Sequence, residues 1–271
     1  MAVGNRVGEL SFKAIMRWGP AIQQRLYPVA TKLFAKSGEL LLLNNGYEED
    51  PPMGLPLDPE DEPSRYQIQL YHVTANQVDL KGKRVLEVGC GHGGGASYIM
   101  RKLGPKSYTG LDLNPSGIEY CRERLNIPNL HFVQGHAEQL PFPDESFDAV
   151  INIESSHCYP NFRGFLAEVV RVLTPGGHFL YSDSQPPIGI EAWEAALADA
   201  PWKMISQRVI SDDVARGFHK NAFHLQDVVD SRTPPFLRSV VRKRLHEGIE
   251  SNCSALESGA LSYRLYCFEK E

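Results

Sequence analysis

The chain has 271 residues, 42% hydrophobic and 23% charged, with a formal net charge of -5. That length suits one large α/β domain with appended elements better than two independent cores, and the mild acidity excludes the strongly basic footprint of a nucleic-acid binder. Its five cysteines (Cys90, Cys121, Cys158, Cys253 and Cys267) include no CxxC pair, which argues against a disulfide framework or a zinc site and fits a reducing cytoplasm. No stretch reaches the roughly 18 apolar residues of a membrane span, and the N-terminus lacks a secretory pattern.

Residues 1 to about 45 place apolar groups at helical spacing, among them Leu10, Ile15, Trp18, Ile22, Leu26 and Leu33, and carry six Lys or Arg against Glu9 alone before residue 39. Two or three short amphipathic helices are expected, whose basic face is either merely solvated or serves as a lid, a peripheral membrane contact or a homo-oligomer interface. YEEDPPMGLPLDPEDEP, from Tyr47 to Pro63, is acidic and proline-rich and therefore an extended loop, either a linker or a flap over a site. Ser64 to Val78 returns to helical spacing. Residues 1–80 thus form an N-terminal helical cap with its loop, and residues 81–271 the main domain.

KRVLEVGCGHGGG, Lys83 to Gly95, reads as a strand, a glycine loop able to lie against a ligand, and a helix start. The chain then alternates: helix Ala96–Leu103, strand Ser107–Leu113, helix Pro115–Leu125 capped by Asn114, strand Leu130–Val133, strand Phe147–Ile153, helix Phe162–Leu173 and strand His178–Ser182. Such alternation implies a Rossmann-like, mostly parallel sheet with helices on both faces, and ligands beyond the carboxyl ends of its strands. A helical cap insertion is expected over about 185–237, followed by two strands, Arg238–Leu245 and Leu261–Glu269, paired as an antiparallel hairpin at the sheet edge.

Gly89, Gly91 and Gly94 satisfy G-x-G-x-x-G, with Asp112 at the distance of a ribose-binding acid, so the glycines alone fit a nicotinamide dehydrogenase equally well. Glu87 tilts the choice: a carboxylate two residues before the first glycine repels a pyrophosphate and attracts an ammonium group. LPFPDESFDAVINIES, Leu140 to Ser155, resembles the loop and fourth strand of class I methyltransferases, whose sheet also closes on an antiparallel edge. S-adenosylmethionine is accordingly the expected cofactor. Glu87 would hold its ammonium group, Gly89, Cys90 and Gly91 the close backbone approach, and Asp112 with Leu113 the ribose. His136, Ala137 and Glu138 stand where such enzymes contact adenine, with His136 either accepting from the adenine amino group or pointing to solvent. Tyr71, on the helix before the first strand, and Glu154, after the fourth, complete the expected cofactor-binding set. His157 is the candidate proton acceptor, since an imidazole of reference pKa about 6.5 can take a hydroxyl proton near neutrality. Asp183 could orient it or bind the acceptor. No two-His or His/carboxylate spacing suggests a metal.

At these residues the chain resembles the mycobacterial phthiotriolone/phenolphthiodiolone dimycocerosates ketone methyltransferases and fatty-acid O-methyltransferases. The resemblance runs from NNGYEEDPPMGLPL through CGHGGGASY, SYTGLDLN and SHCYPNFRGFLAEVVRVL to LSYRLYCF, with His136 departing from the Asp usual in such relatives. It implies methyl transfer to an oxygen of a hydrophobic lipid-like or polyketide-like acceptor, buried by the N-terminal helices and the 185–237 cap. A C-methyltransferase of a prenyl or sterol-like alkene, using Tyr47, Tyr71 and Trp193 to stabilise a carbocation, is the alternative. A non-catalytic cofactor-binding assembly subunit is a third reading.

Overall fold

The computed structural model describes Leu42, residues 44–232, Phe236 and residues 238–271. The amphipathic helices expected before residue 42 lie outside the described residues. Seven strands, β1 Arg84–Val88, β2 Ser107–Asp112, β3 Leu130–Gln134, β4 Phe147–Ile153, β5 Leu173–Gln185, β6 Trp202–Val209 and β7 Ser262–Lys270, form one sheet in the order β3-β2-β1-β4-β5-β7-β6. Strands β1 to β5 pair in parallel, and β7 runs antiparallel to both β5 and β6.

The helices are α1 Arg65–Ala75, α2 Gly94–Leu103, α3 Pro115–Arg124, α4 Phe162–Val172, α5 Pro187–Ala198, α6 Ser211–Arg232 and α7 Arg238–Glu257. Local chemistry sets their ends. Gly93 and Gly104 flank α2 in left-handed conformations at φ +75° and +61°, where a side chain would be strained. Asn114 caps α3 by accepting from the Ser116 amide at 3.1 Å, with Pro115 at the first helical position, an arrangement that satisfies an otherwise orphaned N–H.

Both faces of the sheet are covered, as the alternation of side chains along β1 shows. Val85 joins the core that includes Ile68, Tyr71, Ile99 and Ile118, while Leu86 and Val88 join the opposite one, with Phe165, Val169, Phe179, Tyr181 and Tyr266. A strand buried on both faces must be apolar almost continuously, and β4 is (FDAVINI). On the second face Phe179, Tyr181, Tyr266, Phe268 and Trp202 stack in a row, with centroids 4.9–6.2 Å apart, which ties β5, β7 and β6 together.

The expected strand at Arg238–Leu245 is instead the start of α7. Its half-buried and buried positions, Val241, Leu245, Ile249, Cys253 and Leu256, recur every three to four residues, a helical stripe that overrides the β-branched pair Val240-Val241. The second strand of the closing pair is β6, between α5 and α6, so the helical insertion is interrupted by a strand. β6 is exposed along most of its length because it is the sheet edge, and it therefore lacks the alternating apolar pattern that marks a half-buried strand. β5 also begins earlier than expected, running through Pro175-Gly176-Gly177 with a register shift against β4.

The acidic loop is pinned as a strap between α1 and α6. The Tyr47 amide donates to Tyr66 O at 2.9 Å and the Glu48 amide to Asp213 O at 3.0 Å. The buried Glu48 carboxylate accepts from the Met53 amide, Gln69 and Lys220, which hold its pKa down against the effect of burial. Met53, Leu55 and Leu57 pack onto the first core. No helix among the described residues is long and apolar enough to cross a membrane.

Candidate active site

A cavity of about 560 Å³ opens at the carboxyl ends of the parallel strands, a size suited to a small-molecule ligand. Its floor is the β1 loop. Gly89 takes φ +82°, and a Cβ there would overlap the Ser155 hydroxyl. The glycine therefore lets the loops after β1 and β4 close on one another. Gly95 serves α1 in the same way, since a Cβ would fall inside the Tyr71 ring. The Gly91 amide donates to Asp112 Oδ2 and the Asn114 amide to Asp112 Oδ1, both at 2.9 Å. Burial raises the Asp112 pKa, and amide donors including those of Asn114 and Gly91 oppose the rise.

Of the residues expected at the cofactor, Tyr71, Gly89, Cys90, Gly91, Asp112, Leu113, His136, Ala137 and Glu154 line the cavity together, as does His157. Three stand behind the wall. Glu87 is 1% exposed, and its carboxylate accepts from Tyr71 Oη and Tyr108 Oη, each at 2.9 Å; burial pushes its pKa up to about 7 against those two hydrogen bonds. Glu138 accepts from the Asn161 amide at 2.8 Å. Asp183 is fully buried beneath His157. The Glu138 amide donates to His136 Nδ1 at 3.2 Å, so in the neutral imidazole the proton sits on Nε2 and that nitrogen can only donate.

The β4 end carries the densest polar chemistry. Ser155–Cys158 turns tightly after the strand, which brings His157 Nδ1 within 2.8 Å of Asp183 Oδ1. Asp183 also accepts from Ser156 Oγ at 2.6 Å, the His157 amide at 3.1 Å and the Ser184 amide at 2.8 Å. Although burial works against its charge, the buried carboxylate raises the His157 pKa well above the ordinary value. Burial likewise opposes the Asp183 charge, yet His157 and the hydrogen bonds hold that pKa low. Only the neutral ring, with Nδ1–H donated to Asp183, carries a lone pair on Nε2 and can accept a proton; the Cys158 side chain hydrogen-bonds the same ring.

Glu154 adopts φ +47°, an uncommon conformation for a non-glycine residue. Its two oxygens accept from the Asn45 amide at 3.0 and 3.1 Å, and Oε1 also accepts from Tyr263 Oη at 2.9 Å. Burial raises its pKa to about 7 against these donors.

Leu42, Asn44, Asn45, Tyr159, Ser184, Asn252 and Leu261 also line the cavity. Most lay outside the expected site. Asn45 stands just before the YEEDPP motif, the available signal for that wall, whereas Asn252 was hidden by the strand assigned to the start of α7. The described wall includes Ser184 but no residue from α5 or α6. Of the aromatics suggested for a carbocation, Tyr71 reaches it. Tyr47 is buried within the strap, its hydroxyl against Glu49 and Arg208, and Trp193 packs against Tyr181 and Tyr266 in the second core.

A sheet of this order, with one antiparallel strand next to its edge and a cavity above β1, β2 and β4, defines the class I methyltransferase fold. A putative sarcosine dimethylglycine methyltransferase from Galdieria sulphuraria superposes with a TM-score of 0.70 at 18% identity, over 92% of this chain and 98% of that one. Residues 86–181 match the family described as "Methyltransferase domain". Over its full length the chain is 52% identical to the fatty-acid O-methyltransferase of Mycolicibacterium smegmatis, covering 99% of that protein. It is 55% identical to the phthiotriol/phenolphthiotriol dimycocerosates methyltransferase of Mycobacterium tuberculosis, over 90% of each. The chain belongs to this family of S-adenosylmethionine-dependent methyltransferases.

Proposed function

We propose that the protein transfers a methyl group from S-adenosylmethionine to an oxygen of an apolar, lipid-like acceptor, with His157 receiving the acceptor's proton. The observation that carries this reading is His157 in the cavity wall, paired with Asp183 buried beneath it. The relatives' names, which speak of a fatty acid and of dimycocerosates, support an apolar acceptor.

The cavity residues fit the cofactor. The Gly91 amide donates to one Asp112 oxygen and the Asn114 amide to the other, and a carboxylate's remaining lone pairs can take ribose hydroxyls. The β1 loop presents Gly89, Cys90 and Gly91, and the Cys90 thiol stays neutral because burial and the Asp112 and Glu87 carboxylates raise its pKa well above the ordinary value. Leu113, His136 and Ala137 would flank the base, with Glu138 holding the His136 turn from behind. Tyr71 would face the methionine end, its hydroxyl oriented by Glu87, so the Glu87 charge acts at one remove. Glu154 would face the same end and keeps Asn45 in place. When bound, the cofactor supplies an electrophilic methyl group. The protein's contribution is alignment and proton acceptance: Asp183 fixes the His157 ring and tautomer, and once the ring is neutral Nε2 can accept.

The raised His157 pKa favours a second reading, in which the imidazolium pairs with an acceptor that is already a carboxylate. The two differ in sign. A hydroxyl acceptor needs neutral His157, so the rate rises with pH as the ring loses its proton; a carboxylate acceptor is held by the cation, so the rate falls over the same range. His157→Ala is expected to lower turnover about 100-fold or more while S-adenosylhomocysteine affinity, measured by calorimetry, is kept. Full activity with intact affinity would remove His157 from the reaction.

A further inference from the structure

We propose that the start of α7 is a docking surface for an anionic lipid bilayer. The inference goes beyond the catalytic reading and stands on the surface itself. Phe236 is 79% exposed and Val240 58% exposed, side chains that leave water favourably when a nonaqueous surface is offered. Ile249, Cys253 and Leu256 turn the other side of α7 into the core, so Val240 stands outside the helix's packed stripe, and Phe236 precedes the first turn. Arg242 and Lys243 are exposed beside Val240, and the Lys243 side chain is 79% exposed, at 3.9 Å from Glu247.

The first turn of α7 holds no acid and begins with Arg238. A chain of net charge -5 thus concentrates cations around exposed apolar groups at one place. That combination matches a surface with anionic headgroups over an apolar interior. The patch and the site share a helix: Asn252, on α7, lines the cavity, about 18 Å along the axis from Val240 at 1.5 Å per residue. A protein docked there would hold its cavity near the source of an apolar acceptor.

Co-sedimentation of the full chain with phosphatidylcholine–phosphatidylglycerol vesicles tests this. Binding is expected, weaker at raised salt and absent with pure phosphatidylcholine. Phe236→Ser with Val240→Ser, and separately Arg242→Gln with Lys243→Gln, should each weaken binding at least about five-fold. The far-UV circular dichroism and methylation of a detergent-dispersed acceptor should stay unchanged. Phe236→Trp should retain binding and show a blue-shifted emission on the anionic vesicles. Absence of vesicle binding, equal binding to neutral vesicles, undiminished binding by both double variants, or loss of self-association as their one effect would each overturn the proposal. Patch-dependent vesicle binding by a protein that methylates nothing would leave it standing and overturn the catalytic reading instead.

Discussion

His157 and Asp183 are the residues on which the chemistry turns, and their opposed pKa shifts make it testable. In the hydroxyl reading, the acid limb of the kcat/KM profile reports the free enzyme's proton acceptor. Asp183→Asn removes the charge that raises the His157 pKa, so that limb should move to lower pH, with turnover reduced because the ring is less firmly oriented. A limb that stays in place would detach it from this pair. For stability, the raised His157 pKa contributes fully below the unfolded value of about 6.5 and is lost as pH rises through the folded value; the lowered Asp183 pKa contributes above about 3.9 and is lost as pH falls through its folded value. Glu87 behaves oppositely to Asp183. Its folded pKa, raised to about 7, lies above the unfolded one, so folding loses stability as pH rises from about 4.3 and the loss levels off above 7. Glu87→Gln should therefore gain stability relative to the parent over that range, by about 1–3 kcal/mol, as followed by urea unfolding at pH 5 and pH 8. A difference that does not vary with pH would mean that Glu87 remains charged throughout. The sequence marked Glu87 as the carboxylate that would hold the cofactor's ammonium group. It could not show that the carboxylate is buried and takes hydrogen bonds from Tyr71 and Tyr108, because neither partner is near Glu87 in the chain.

Elements built from local periodicity and local caps were legible in the sequence: β2, β4, α3 and α4 fall within a residue or so of their expected limits. The edge was not. β6 packs mainly through Trp202 and Ser206, and the start of α7 shows two adjacent valines whose helical partners appear only four and eight residues further on. Their identity depends on which neighbour β7 pairs with, a tertiary choice. The acidic strap is similar, since its composition fixed an extended backbone while its docking depends on Gly217 in α6. A Cβ at Gly217 would collide with the Tyr47 backbone, which cannot swing aside as a side chain can. Gly217→Ala should cost about 1–3 kcal/mol and lower the melting temperature by several degrees. An unchanged melting curve would mean that the strap does not depend on that contact.

For the molecule as a whole, the sheet order places the β1 and β2 loops, the β4 turn and the start of the strap around one cavity, so residues as distant in sequence as Asn45, Asp112, His157 and Asn252 share a wall. A ligand that fills it should stabilise the entire fold by mass action. S-adenosylhomocysteine at about 100 times its Kd is expected to add about 2.7 kcal/mol, or roughly 5–10 °C in Tm, and NAD none. An equal shift with NAD would return the glycine loop to the dinucleotide binders that share its spacing. The central claim is transfer to oxygen on an apolar acceptor, and incubation with methyl-labelled S-adenosylmethionine and a lipid extract, followed by mass spectrometry of the labelled product, tests it most directly. The account predicts label on an oxygen, as an ether or ester, and its loss in His157→Ala; label on carbon, or bound cofactor with no labelled lipid at all, would contradict it.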